Sequence, residues 1–265
     1  MSEKELQILA KKSHIPFAKG MSLKPYNYCL FGKQHRVSFR IPSTRKPNVL
    51  DLVYSEVCDP IDVESLGGNN YFVTFIDDAS RKVWVYFLKT KDLVFEHFKK
   101  FHAMAEREKG KPLKCLRTDN GGEYTSNEFK SYYLEKCIRH EKTVPSTQQQ
   151  NGVAERMNYT IVEKVKCMLR MANLSTSFWC EAVQTACYLI NRFSSVPLEF
   201  DIPKKVWIGK DVSYSHLKVC GCKAFAHVPK EQRLKLDSKA IPCIFIGYRD
   251  AEFSYKIWDL EKKKR

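Results

Sequence analysis

Two β-rich runs separated by a short polar gap constrain this chain most. Residues 71–76 (YFVTFI) and 82–88 (KVWVYFL) are dense in β-branched and aromatic side chains, and the turn residues DDAS lie between them. Runs of this kind joined by a few polar residues pair as antiparallel strands. A third β-like run at 49–58 precedes them, so this part of the chain opens as a meander. Helical spacing then takes over: Val94, Phe98, Phe101 and Ala105 share a face, with Asp92 placed to cap the helix and Gly110 to end it. A strand at 113–118, a short helix at 127–136 and a strand at 138–144 follow. Two longer helices complete the segment. Asn151 caps the first, whose stripe is Val153, Met157, Ile161, Val165 and Met168; Ser175 caps the second, whose stripe is Trp179, Val183, Ala186 and Ile190. Three strands, helix, strand, helix, strand, helices is an α+β order, similar to the ribonuclease-H architecture with a five-stranded mixed sheet.

The flanks differ from this centre. Residues 1–45 hold a short apolar run, a Gly- and Pro-punctuated stretch and the basic GKQHR, and are expected to form a small separate module. The core is expected to span 46–200, entered through a Pro-rich linker at 42–47. Beyond it, short strands at 222–227, 243–247 and 254–259 indicate a β-barrel-like module over 213–265.

Charge follows the same division. The 265 residues carry a net +15, but residues 51–200 hold twenty basic and twenty acidic side chains. Residues 1–50 hold ten and two, and residues 201–265 fifteen and eight, so the excess sits in the two arms. Basic arms on a neutral core point to a polyanionic partner. No apolar run approaches the roughly 20 residues of a membrane span, and the polar, acidic start MSEKE is unlike a secretory signal. Ten scattered cysteines in a chain of this size read as reduced thiols, which implies a nuclear or cytoplasmic location.

Two carboxylates stand at junctions. Asp119 ends the strand KCLRT and precedes two glycines, and Glu155 lies in the first turn of the helix that follows QQQNG, with 35 residues between them. Paired carboxylates on different elements suit two-metal phosphoryl transfer, because hard Mg²⁺ ions prefer oxygen and two of them clamp the attacking and leaving oxygens. The ordinary reading is a turn-forming Asp and a dipole-serving Glu, and composition alone favours it.

The runs LRTDNGGEYTSNEF, VPSTQQQNGVAERMNYTIVEKVKCML and FWCEAVQTACYLINR resemble the integrase region of Ty1/copia-type retrotransposon Pol polyproteins, including plant elements of the Tnt1 kind. GKQHRVSF resembles the end of that family's pre-integrase zinc module, and HLKVCGCKAFAHVPKEQRLKLDSKAIPCIFIGY its SH3-like domain. The resemblance implies an Asp, Asp, Glu triad whose last two members match Asp119 and Glu155. It implies two Mg²⁺ (or Mn²⁺) ions in an active site, DNA partners (the element's own ends and a target), no membrane partner, and leaves room for a homo-oligomer. It also brings Gln148, Gln149, Gln150 and Asn151 toward DNA, with Lys164 further along the same helix as a phosphate contact.

Two positions depart from the family pattern. The family usually shows His-Ser-Asp-Val-Cys-Gly-Pro on its first strand, and this chain has Tyr54-Ser55-Glu56-Val57-Cys58-Asp59-Pro60. Glu56 therefore takes the first triad position. Asp51 is no replacement, since an offset of five residues reverses the strand face. At the amino end only Cys29 remains of the family's Cys pair, with Tyr26 in place of the other, and His14 and His35 lack ligand spacing, so no structural zinc is expected. Three functions follow as expectations: metal-dependent strand transfer weakened at Glu56, a catalytically inactive relic or domesticated nucleic-acid binder, and, least, a ribonuclease of similar fold.

Overall fold

A computed structural model describes residues 8, 10–12, 45–143, 151–249 and 254–259. Its main sheet contains β1 (Val53–Val57), β2 (Tyr71–Asp77), β3 (Val83–Leu88), β4 (Cys115–Thr118) and β5 (Arg139–Lys142) in the order β3-β2-β1-β4-β5. The first three strands pair antiparallel, whereas β4 and β5 join parallel, which makes the sheet mixed. Its helices are α1 (Val94–Lys109), α2 (Asn127–Glu135), α3 (Gly152–Met171), α4 (Trp179–Ile190) and the short α5 (Pro203–Ile208).

Strand alternation divides the core in two. Val53, Phe75 and Leu116 face α1 and α2, where Phe98, Phe101 and Phe129 complete an aromatic cluster, Phe75 stacking on Phe101 at 4.5 Å. Tyr54, Phe72 and Ile76 point the other way, onto Ile161 and Val165 of α3 and Trp179 and Val183 of α4. Glu56 follows Tyr54 by two residues and so shares the face covered by α3.

Several expected boundaries move, for local reasons. The first strand starts at Val53, not at 49, because Leu50 adopts a left-handed backbone (φ 65°) while its N–H donates to Asp77 Oδ1 at 2.7 Å. Asp77 is fully buried and also accepts from the Ser80 N–H (2.8 Å) and hydroxyl (2.7 Å), so DDAS is an internal polar anchor, not a solvated turn. Asp92 does not cap α1; it lies in a 3₁₀ turn, Lys91–Leu93, ahead of it. Gly110 does end that helix in a left-handed conformation. The buried line of α3 is Ala154, Asn158, Ile161, Val165 and Leu169, with Val153, Met157 and Met168 half-buried beside it. A polar residue thus occupies the core stripe.

A second, antiparallel sheet of β6 (Lys223–His227), β7 (Ala240–Tyr248) and β8 (Tyr255–Asp259) forms the SH3-like part. It is pressed against the core: Ile246 joins the α3–α4 apolar cluster, Tyr248 stacks on Tyr188 at 4.1 Å, and Trp258 meets Phe178 edge-on at 4.8 Å. Two glycines permit this approach. A Cβ on Gly247 would lie 2.5 Å from Thr185 Oγ1, and one on Gly221 (φ 84°) 2.5 Å from the Ala172 Cβ. The nine described cysteines are free, including buried Cys220 and half-buried Cys222. Among the described residues no helix is long and apolar enough to cross a membrane. The expected zinc-module positions, Cys29 among them, lie outside the described residues, as do Gln148, Gln149 and Gln150.

Candidate active site

Three elements converge on a pocket of about 550 Å³ beside the carboxyl ends of β1 and β4. β1 delivers Glu56, the residue after β4 delivers Asp119, and the first turn of α3 delivers Glu155. The helix presents a whole face, since Glu155, Asn158, Tyr159 and Val162 all line the pocket at spacings of three and four. Asp119 Oδ1 accepts the Gly121 N–H at 3.1 Å, which holds the loop close under its own carboxylate. Asp51, by contrast, lies before β1, 2.7 Å from Lys114, and contributes nothing to the pocket.

Glu56 is more perturbed than Glu155. Burial chiefly, then the charges of Glu155, Asp119 and Asp59, push its carboxyl up to about 8. Glu155 is raised as well, first by burial and then by Asp119, against the pull of Arg156. Carboxylates that raise one another across a shared space form a site with a deficit of positive charge. Among the described residues Lys91 is the one cationic side chain lining the pocket, against Glu56, Asp59, Asp119, Glu123 and Glu155.

Asn158 was not singled out by the sequence reading, yet it braces the site. Its Nδ2 donates toward Glu56 Oε2 at 3.4 Å, while its Oδ1 accepts the Thr74 hydroxyl at 2.8 Å. The chain Thr74, Asn158, Glu56 therefore ties β2, α3 and β1 together. The available signal was its place three residues after Glu155, on the same helical face.

Asn151 heads α3 but makes no capping bond with its side chain; it is 1% exposed, and among the described residues neither polar atom of its amide has a hydrogen-bond partner. It lines the same pocket. Lys164 does not: the pocket-facing line of α3 ends at Val162, and Lys164 sits half-buried off that line. No three acidic, His or Cys side chains among the described residues form a ready-made cation cage. The donor chemistry still fits a hard divalent ion, because three carboxylates and an unpaired buried amide offer oxygen and little else.

Residues 54–147 match the model of the integrase core domain, and residues 222–265 that of the retroviral polymerase SH3-like domain. Over 264 residues, 100% of this chain, the sequence is 72% identical to the retrovirus-related Pol polyprotein from transposon TNT 1-94 of Nicotiana tabacum, of which it covers 20%. The chain belongs to the copia-type retrotransposon Pol family. The Pol polyprotein from transposon RE2 of Arabidopsis thaliana is 31% identical over 86% of this chain and 15% of its own length. That from transposon RE1 is 30% identical over 89% and 16%. This copia-type chain thus spans a fifth or less of the length of these relatives.

The fold of this Pol segment is also that of a chain in a simian T-cell lymphotropic virus intasome, solved in complex with the PP2A regulatory subunit B56 gamma. The two align with a TM-score of 0.52 over 96% of this chain and 95% of that one, at 13% identity.

Proposed function

We propose that the chain is a retrotransposon integrase that joins DNA strands in a metal-dependent reaction, slowed by the glutamate at position 56. The observation that carries this reading is the convergence of Glu56, Asp119 and Glu155, from three separate elements, on one pocket. Asp119 and Glu155 would hold the divalent ions with Glu56, and such ions supply charge stabilisation at the transferring phosphoryl group. The protein's own groups set the conditions. At neutral pH, without a cation, Glu56 holds a proton, and Asn158, oriented by Thr74, donates to its Oε2. Lys91 offers a phosphate its nearest ammonium on the pocket wall. By resemblance to the family, Gln148, Gln149, Gln150 and Asn151 would approach DNA, and Lys164 would contact a phosphate outside the pocket.

The extra methylene of Glu56 displaces its carboxylate by about 1 Å, and a misplacement of that size costs about a hundredfold in rate. The test is Mg²⁺- or Mn²⁺-dependent joining of a short donor duplex to plasmid DNA. Glu56→Asp is expected to join about a hundredfold faster than the natural chain, and Asp119→Asn and Glu155→Gln to join nothing. Equal, robust joining by the natural chain and Glu56→Asp would overturn the reading. A second reading, a relic or domesticated protein that binds nucleic acid without catalysis, is favoured by the departures from the family pattern at Glu56 and Tyr26. It predicts salt-sensitive DNA binding with no joining in any variant, Glu56→Asp included.

A further inference from the structure

A second, larger concavity lies away from the carboxylates. A groove of about 1080 Å³ runs along the outer margin of β3, between α1 with α5 on one side and α4 with the end of β7 on the other. Among the described residues β3 is an edge strand, so that margin has no neighbouring strand there. Two contacts fix its phase. The Asp77 N–H donates to Lys82 O across the turn from β2, and Asn191 approaches Val83 from the opposite side, accepting from its N–H at 2.8 Å and donating to its C=O at 2.7 Å. Backbone groups alternate along an antiparallel strand, so those of Val85 and Phe87 face the groove as Val83's do. The amide of Asn191 fills one position of an absent strand, and the next two are presented to the groove.

Charge in the groove is one-sided. Among the described residues, Lys82, Lys109 and Lys204 gather at one end, Arg192, Arg249 and Lys256 line the other wall, and the acidic lining residues are Glu108 and Glu181; Lys109 Nζ also donates to Trp207 O and Lys256 Nζ to Gln184 Oε1. Glu108 is already shared: its Oε2 lies 3.5 Å from Lys82 Nζ and accepts the Trp207 indole N–H at 2.8 Å. Lys82 lies over the rings of Trp84 and Trp207 at 4.5 and 4.7 Å. Its pKa falls to about 8, through burial first, with Lys204 and Lys109 adding to the effect and Glu108 opposing it. A half-enclosed excess of positive charge favours an anionic occupant.

We propose that this groove receives an extended, acidic peptide, which adds a strand to β3 at Val85 and Phe87 and sets its carboxylates against the lysine and arginine walls. A peptide fits this groove better than a duplex. The floor offers the backbone groups of Val85 and Phe87 in the alternation that a neighbouring strand pairs with, and the lining mixes apolar and aromatic side chains with the basic ones. The assignment goes beyond the DNA reading of the carboxylate pocket and does not rest on it.

The experiment uses the full 265-residue chain and a fluorescein-labelled octapeptide of alternating glutamate and valine, followed by fluorescence anisotropy. Saturable binding is expected, weakened about tenfold or more both by Arg249→Glu with Lys204→Glu and by N-methylation of the peptide's central amides. The methylated peptide leaves the protein untouched, so its arm stands even if the charge reversals disturb folding. Absence of saturable binding, or equal binding of the methylated peptide, overturns the proposal. Loss of duplex-DNA affinity in the charge-reversed chain without any peptide binding would assign the groove to nucleic acid. A loss of self-association by light scattering, again without peptide binding, would assign it to a second copy. Either result overturns the proposal.

Discussion

At the scale of single residues, the polar groups set wholly or partly within the core carry the most information. Glu56 and Asn158 form one such pair, and His140 another with Thr118, whose Oγ1 lies 2.9 Å from its Nε2. Burial, helped by Lys142, lowers the His140 pKa to about 4. The neutral ring is favoured by the fold, so its contribution to stability is complete above about pH 6.5 and disappears as the pH falls toward 4. Denaturant midpoints measured from pH 7 to 4 should therefore fall more steeply for the natural chain than for His140→Gln; parallel curves would refute this. Asp119 and Glu155 were legible in the sequence because a local run surrounds each. Asn158 was not, because a reading by hydrophobic stripe passes over a polar residue on the core face.

Among the elements, order was legible and boundaries were not. Periodicity distinguishes the strands from the helices of the core, and every expected strand and helix from 49 to 190 has its counterpart. The displaced starts of β1 and α1 come from contacts between residues distant in sequence, such as Leu50 with Asp77, which periodicity does not carry. The seating of the SH3-like sheet was equally hidden, since Gly221 and Gly247 look like turn residues until Ala172 and Thr185 are found against them. Gly221→Ala forces a side chain into the backbone of Ala172 at a left-handed φ, and should cost about 1–3 kcal/mol in urea unfolding. Gly122, where an added Cβ would meet nothing within 4 Å, is the control, and its change to Ala should stay within about 0.5 kcal/mol. Equal effects at the two sites would remove the argument for close seating.

For the whole molecule, the +15 resolves into a neutral core and two basic arms, and affinity for DNA should follow the arms. Removing the carboxyl-terminal arm would uncover Ile246 and its neighbours in the shared apolar cluster, so charge neutralisation is the cleaner probe. Lys230, Lys235 and Lys239 are exposed on the SH3-like part. Changing them to Ala should lower the slope of log affinity against log salt by about 0.9 for each phosphate that is no longer neutralised. An unchanged slope would place the DNA-binding surface elsewhere.

The two glycine contacts also fix a length. With Gly221 lodged on Ala172 and Gly247 on Thr185, the basic sheet keeps one station relative to Asp119 and Glu155. A nucleic acid gripped by that sheet would meet the carboxylates at a set number of nucleotides from the grip, as on a measuring gauge. Spacing would then be counted by the protein's shape, not negotiated by a slack tether.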